Sequence, residues 1–461
     1  MTPDANDLCV FAVKRGDITK RFDVGYCNIE SQLLISTKFK IIKFGTIIQD
    51  IYRYPTFYGI NYISSGTGII KGENISRDGS WINLDKLDYI DYETNKKYGR
   101  TVLKENDLVV TVRGEVGKVG IASKRLAGCN INANVIKISL LSNIGDLDVN
   151  PQYIWAYLNS QIGKKQIKKQ VAGGVQETIT VDGLFDIDII LPPHEIQNLL
   201  YSNIFLAELK RTQSIQNADE LLAGMSDCIL SALRIAPIKF DSQLCCKVKM
   251  SDVISDKTLS AGYYHPERMA AISSMKKSYA SCVKKIIEIV DFHRDIVSCS
   301  ESSEEYLGLA GVESQTGELS GVVEEAAGQA FKYEAGDILY GRLRPYLNKV
   351  LLAESSGICS TEFHVMRIKE GVNVLPGYLA AILRSDLILS QTKHMMTGNT
   401  HPRISNDDVK NLYIPVPELS VQRQIEEELS HRRFEARKLK QQAEADWAEA
   451  KAQFEKELLE E

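Results

Sequence analysis

Two stretches of this chain bring cationic side chains together in a way that suits binding rather than covalent chemistry. Asp107-Leu108-Val109-Val110-Thr111-Val112-Arg113 reads as a turn and a strand, followed by Gly114-Glu115-Val116-Gly117-Lys118. The second stretch is Asp337-Ile338-Leu339-Tyr340-Gly341-Arg342-Leu343-Arg344, followed by Pro345-Tyr346-Leu347-Asn348-Lys349-Val350. Alternation along a strand predicts that Tyr340, Arg342 and Arg344 share one face, which sets two guanidinium groups beside a phenol. Recognition by charge and hydrogen bonding is one reading. A solvated edge strand, where arginines are common, explains the pattern about as well.

Three weaker features lie outside these stretches. Tyr52, Tyr54, Phe57, Tyr58 and Tyr62 cluster among turn residues. They suit the packing of a small β-rich domain better than a surface on which bases or sugars stack, although tyrosine can do both. Lys164, Lys165, Lys168 and Lys169 fall on one face of a predicted helix over 151–171, where a solvated helix end is the more economical explanation. Thr400-His401-Pro402-Arg403 forms a polar loop that can make contacts.

The elements that must position these groups come twice. Residues 187–191 read as a strand stopped by Pro192-Pro193, and residues 195–233 contain no proline and only Gly224. Within them Ile215, Ala218, Leu222, Met225, Ile229 and Ala232 recur at steps of three and four, the seam of a long helix packed on another helix. Leu412-Tyr413-Ile414-Pro415-Val416-Pro417 enters a second long helix, 418–461. Its Ala443, Trp447, Ala450 and Phe454 are Ala218, Leu222, Met225 and Ile229 shifted by 225. The same offset carries Pro151 to Pro376, Tyr153 to Tyr378, Leu158 to Leu383, Ile179 to Ile404, Asp182 to Asp407, and Gln197 to Gln422. Arg21-Phe22-Asp23-Val24-Gly25-Tyr26 recurs more loosely as Thr258-Leu259-Ser260-Ala261-Gly262-Tyr263. The chain is therefore an internal repeat. Its predicted divisions are a domain over 1–192, a long helix over 193–236, a second domain over 237–417 and a terminal helix over 418–461.

With 461 residues, 44% apolar and 25% charged, the chain has the make-up of an ordinary globular protein with two or three domains. Nothing at the start resembles a secretory signal, and no run is apolar enough for a membrane helix. Nine cysteines without a CxxC pair suggest reduced thiols and a cytoplasmic protein. The adjacent Cys245 and Cys246 suit neither a zinc site nor an ordinary disulfide. The net charge of −5 argues against nucleic acid only at first sight, because residues 418–461 alone carry twelve acidic and eight basic side chains. Gly114-Glu115-Val116-Gly117-Lys118 has the wrong spacing for a P-loop, and the seven histidines show no metal-ligand spacing. No S-adenosylmethionine loop or amino-methyltransferase site is present, and no carboxylate constellation marks a hydrolase. The chain looks non-catalytic.

Two halves that each end in strand, proline, glutamine and long helix resemble the specificity subunit of a type I restriction–modification enzyme. The resemblance covers nearly the whole chain. It rests on residues 337–350, on Gly357-Ile358-Cys359-Ser360-Thr361-Glu362-Phe363, and on Arg403-Ile404 through Val416-Pro417 to Gln422. In the first half it rests on Asp107 through Lys118, Ile179, and Leu191-Pro192-Pro193 to Gln197. The first copy departs from the pattern at Gly173-Gly174-Val175-Gln176-Glu177-Thr178, so a role for Arg403 does not transfer to Thr178.

The resemblance implies an α+β fold in which two homologous target-recognition domains, of mixed β-sheet with helices, are each followed by a long helix. The two helices would pair as an antiparallel coiled coil. It further implies a subunit that reads a two-part site on double-stranded DNA and docks two methyltransferase subunits and motor–nuclease subunits. S-adenosylmethionine, ATP and magnesium would then be held by those partners, with no cofactor, metal or catalytic residue in this chain. Arginine to guanine and asparagine to adenine are the favoured base contacts. The candidate DNA-binding residues are accordingly Arg113, Lys118, Arg342, Arg344, Asn348, Lys349 and Arg403. A stand-alone nuclease with a diffuse carboxylate site and a protein-binding coiled-coil scaffold are the rival readings.

Overall fold

The structure is a computed structural model. It describes residues 36–53, 60–77, 82–84, 87–171, 177–240, 247–256, 258–279, 281–300, 304–398 and 400–459. The Arg21–Tyr26 repeat, Tyr54, Phe57, Tyr58, Gly173-Gly174 and Cys245-Cys246 lie outside them. The chain divides into two compact units, one of Met1–Gln213 with Gln442–Glu461 and the other of Ser214–Gln441.

In the first unit an antiparallel four-stranded sheet runs in the order Ile48–Arg53, Val135–Leu140, Leu108–Thr111, Val119–Ile121. A three-stranded sheet sets Thr67–Ile70 between Asp88–Ile90 and Asn130–Ile131. Strand Asp188–Leu191 pairs antiparallel with Lys40–Lys43. The second unit repeats this plan. Its first sheet orders Val290–His293, Phe363–Ile368, Ile338–Gly341 and Val350–Leu352, and Tyr413–Pro415 pairs with Val283–Lys285. Its other sheet orders Ile296–Ser298, Gln329–Tyr333, Gly357–Ser360 and Tyr306–Leu307, with the last pair parallel. The class is α+β. The central strands read as continuous apolar runs because both faces are covered: Leu108, Val109 and Val110 are buried, as are Ile338, Leu339 and Tyr340.

The offset of 225 extends to individual hydrogen bonds. The Gln197 side chain accepts from the Asn150 backbone N–H at 2.9 Å and donates to the Asp148 and Pro192 carbonyls at 2.9 and 2.8 Å. Gln422 accepts from Leu375 at 2.9 Å and donates to Asn373 and Pro417 at 3.1 and 2.8 Å. Both glutamines are 0% exposed. Tyr153 donates to the Ile190 carbonyl and Tyr378 to the Pro415 carbonyl, each at 2.6 Å. Buried polar groups must be paired, so each glutamine fastens the start of its long helix to the loop ahead of the domain's central helix. Gln197→Met keeps the volume and leaves one N–H and two carbonyls without partners. A destabilisation of about 1–3 kcal/mol is expected, read as a lower urea midpoint; an unchanged midpoint means that water replaces all three bonds.

The helix expected over 151–171 is two helices, Pro151–Asn159 and Gln161–Lys169. Ser160 breaks it with extended backbone (ψ 167°), and its Oγ accepts from the Gly163 N–H at 3.1 Å. At Gly163 a Cβ would meet the Tyr157 carbonyl at 2.1 Å, so the reversal admits only glycine. Ser385 makes the same break between Pro376–Arg384 and Asp386–Thr392. The central long helix is interrupted at Gly224, which separates His194–Ala223 from Met225–Ala232. The terminal helix is continuous over Leu419–Leu459.

The helices pair antiparallel in both units. In the first, Lys210 meets Asp446 and Arg211 Nη2 meets Glu444 at 2.8 Å, with Trp447, Phe454 and Leu458 joining the core. In the second, Lys440 meets Asp219 at 2.8 Å, and Met225 and Ile229 share a core with Ile425 and Leu429. Among the described residues no helix is long and apolar enough to cross a membrane.

Candidate nucleic-acid interface

In the second unit, strand Ile338–Gly341 ends in a turn that carries the predicted residues. The Arg342 N–H donates to the Glu362 carbonyl at 2.8 Å, and Ile404 N–H donates to the Arg342 carbonyl at 3.1 Å. Arg344 N–H donates to the Pro402 carbonyl at 2.7 Å. Arg344 and Asn348 both adopt left-handed backbone, with φ of 49° and 53°, around the single 3-10 turn Pro345–Leu347. Left-handed backbone costs about 1 kcal/mol or more at a residue with a side chain. Asparagine tolerates it best. Arginine has no such excuse, so Arg344 is held there by its neighbours.

This turn overturns one expectation. Tyr340, Arg342 and Arg344 do not line one strand face. The regular strand ends at Gly341, Arg344 is left-handed, and Tyr340 is 3% exposed with burial pushing its hydroxyl pKa up to about 12. The phenol belongs to the core.

Each guanidinium at the turn sits differently. Arg342 donates one long bond, Nη1 to the Thr361 carbonyl at 3.4 Å. Among the described residues its Nε is buried without a hydrogen-bond partner, and so is the Nε of Arg344. Burial, then the Arg342 charge, drives the pKa of His364 down to about 3, so that imidazole is neutral at physiological pH. Arg403 is fully engaged: its Nε and Nη2 reach the Glu362 carboxylate at 3.0 and 2.7 Å, and its Nη1 donates to the His401 carbonyl at 3.3 Å. That hydrogen bond and charge hold the Arg403 pKa above its ordinary value.

Asn348 and Lys349 turn inward. The Asn348 amide donates to Gln315 Oε1 at 3.0 Å and to the Arg384 carbonyl at 2.6 Å, and the residue is 5% exposed. Lys349 Nζ donates to the Leu309 carbonyl at 2.8 Å, and burial lowers its pKa. As placed, both build the turn.

The first unit has the same frame with different side chains. Val112 N–H donates to the Asn134 carbonyl at 2.9 Å, Ile179 N–H to the Val112 carbonyl at 3.4 Å, and Arg113 bridges to Thr178. The second unit pairs Leu343 with Arg403 at the matching place. Arg113 therefore corresponds to Leu343, and Asn134 to Glu362. Lys118 is pinned by the Gly72 carbonyl at 3.2 Å and by Glu115, whose carboxylate also takes Arg77 at 2.6 Å. The Lys118 hydrogen bond, then that of Arg77, holds the Glu115 carboxyl below the usual range.

Five of the seven candidate residues thus come together at one turn of the second unit, and Arg113 and Lys118 flank the equivalent turn of the first. Sequence reasoning missed Arg53. Its Nε donates to the Ala133 carbonyl at 2.7 Å, and its pKa is lowered by burial and then by the charge of Arg113. It also missed the tie of Glu362 to Arg403, although Glu362 stands in a block that carried the resemblance.

Of the aromatic cluster, Tyr52 lies under the Arg100 guanidinium at 4.2 Å, and Tyr62 is 51% exposed with Lys71 Nζ 5.4 Å from its ring. Lys165 and Lys168 are exposed, whereas Lys164 and Lys169 are half-buried.

A model of the type I restriction modification DNA specificity domain matches residues 27–216 and 314–444, more than half of the chain. The chain belongs to that family. Among curated relatives, the EcoDI specificity subunit of Escherichia coli is 27% identical over 118 residues, 25% of this chain and 26% of that one. The E. coli EcoBI specificity subunit is 26% identical over 159 residues, 33% of this chain and 32% of that one. The matched regions are thus about a quarter and a third of these relatives' lengths. The type I S subunit from M. genitalium aligns over 93% of this chain and 98% of its own at a TM-score of 0.44 and 13% identity. The HsdS subunit from Thermoanaerobacter tengcongensis aligns over 91% and 96% at 0.38 and 13%.

Proposed function

We propose that this specificity-family chain is the non-catalytic DNA-reading subunit of a type I restriction–modification complex, with one reader in each half and a bipartite target. The observation that carries the reading is the repeated turn beside the main sheet. The two units share its backbone hydrogen bonds, while the side chains presented differ: Arg113 and Asn134 in one, Leu343 and Glu362 in the other. A common frame with different side chains, arginine against leucine and asparagine against glutamate, suits two readers of different half-sites. The proposed divisions remain 1–192 and 237–417 for the readers, with 193–236 and 418–461 as the helices between and after them.

Chemistry would fall to partners: two methyltransferase subunits, and motor–nuclease subunits that need ATP and magnesium. Two docking places find support in Leu209 and Phe434, which stand 225 apart on the long helices and are 56% and 63% exposed. The two-fold repeat, which sets equivalent elements in the two halves, suits two copies of one partner. The complex would act on cytoplasmic DNA.

Mapping methylated sites in cells that carry this gene and its neighbours tests the proposal. A two-part methylated sequence that disappears when this gene alone is deleted is expected. Turnover of DNA by the purified chain alone, with magnesium and S-adenosylmethionine, would refute it in favour of a stand-alone enzyme. No DNA binding with or without partners would favour a protein scaffold.

A further inference from the structure

We propose that His265, Glu267 and His394 form a site for a first-row divalent cation of the imidazole-preferring class, Zn2+ above all, within the second unit. One ligand atom from each of the three lies within 4.8 Å of the others. His394 Nε2 is 2.8 Å from Glu267 Oε2, and the His265 and His394 rings are stacked with centroids 3.4 Å apart and planes 14° apart. Ligand atoms on a tetrahedral zinc, bonded at ~2.0–2.2 Å, stand about 3.4 Å apart, so modest rotations of the two rings close the set. Two imidazoles and one carboxylate leave a fourth position for water. The Glu267 side chain is only 7% exposed and the His394 side chain 26%, so the carboxylate forms the floor and the imidazoles the mouth.

The surroundings fit such a site. Ser390 Oγ donates to Glu267 Oε1 at 3.2 Å, which orients the carboxylate as outer partners of a metal ligand do. Lys393 also pairs with Glu267, and its charge opposes a cation. Its side chain is 38% exposed, so the ammonium can move into solvent when a metal takes its place. The fold does not demand the two histidines, although Glu267 has Glu30 as its counterpart at the offset of 237. At the repeat offsets of 237 and 225, the first half has Asn28 in place of His265 and Lys169 in place of His394. A bound ion would tie the start of helix Pro266–Tyr279 to the end of Asp386–Thr392, residues more than a hundred positions apart that no sequence spacing could connect.

The test is titration of the untagged full-length chain with Zn2+ by calorimetry and with Co2+ by visible absorption. One ion per chain at micromolar or tighter affinity is expected, with a Co2+ spectrum that lacks thiolate charge transfer. His265→Gln and His394→Gln should each weaken binding by at least the roughly 10–100-fold that loss of an outer partner causes. Lys393→Met should tighten it by removing the competing charge. Near-UV circular dichroism of the metal-free variants shows whether they remain folded, and Lys393→Met carries the test should a histidine variant not fold. No binding, or binding indifferent to all three substitutions, overturns the site. A thiolate spectrum that survives in both histidine variants does so too, because it moves the ion to the cysteines.

Discussion

Asp107→Ala should destabilise the first unit by roughly 3–5 kcal/mol, the cost of leaving a buried charge without its counter-ion. Asp107 sits against Lys137 at 3.4 Å, with side-chain exposures of 5% and 6%. Its carboxylate also accepts from the Lys104 N–H at 2.7 Å and the Ser139 hydroxyl at 2.6 Å. After the substitution the Lys137 ammonium keeps, among the described residues, the Val102 and Arg100 carbonyls, at 2.8 and 3.3 Å.

The second unit offers an internal comparison. Asp337 is the counterpart at an offset of 230 and is held by Arg367 through two bonds of 2.7 and 2.8 Å. Those bonds keep the Arg367 pKa above its ordinary value. The Arg367 side chain is 35% exposed and also reaches Glu334 at 2.9 Å, so its charge keeps a partner and solvent when Asp337 is lost. Asp337→Ala should therefore cost less, about 1–3 kcal/mol. Hydrogen exchange of amides in strands Leu108–Thr111 and Ile338–Gly341 reads each unit separately. Equal losses at the two positions would show that burial of the cation is not what sets the cost. The double variant Asp107→Leu with Lys137→Met should recover most of the stability, since apolar replacement of both partners removes the stranded charge.

The second large effect concerns DNA. Arg342→Ala and Arg344→Ala should each weaken binding to the methylated target by roughly 1–3 kcal/mol if the guanidinium grips a guanine, and relax the choice at one base pair. These two are singled out because each keeps a buried Nε without a protein partner, among the described residues, while Arg403 is engaged with Glu362. Equal weakening across unrelated sequences, with a shallower salt dependence, would identify phosphate contacts instead. Unchanged affinity in both would assign the pair to the solvated turn. Asn348→Ala is the control: it should lower stability by unmaking the bonds to Gln315 and the Arg384 carbonyl, and a base-specific effect without loss of stability would contradict the inward placement.

The repeat, and much of what hangs on it, is legible from the order of residues alone. A constant offset persists where the same contact, to backbone or to core, is made in both copies. Gln197 and Gln422, or Tyr153 and Tyr378, are therefore legible as pairs before their partners are known. The helical seams were legible for the same reason, since period alone says which side chains must be buried together; Ala218, Met225, Ile229, Ala443, Trp447 and Phe454 are all buried.

Tertiary structure decided what each polar group does. Alternation put Arg344 on a face with Tyr340, but the chain leaves the strand at Gly341, and contacts from residues 362 and 402–404 hold the turn in left-handed backbone. No local pattern encodes contacts of that range. Residue type alone makes Asn348 and Lys349 candidates, yet their donors are taken by carbonyl and amide oxygens brought from distant segments. The stacked pair of His265 and His394 is the extreme case: only the packing of two helix ends brings the imidazoles together. Residue type fixes which bonds a side chain is able to make, and the fold alone decides which of them the protein has already made for itself.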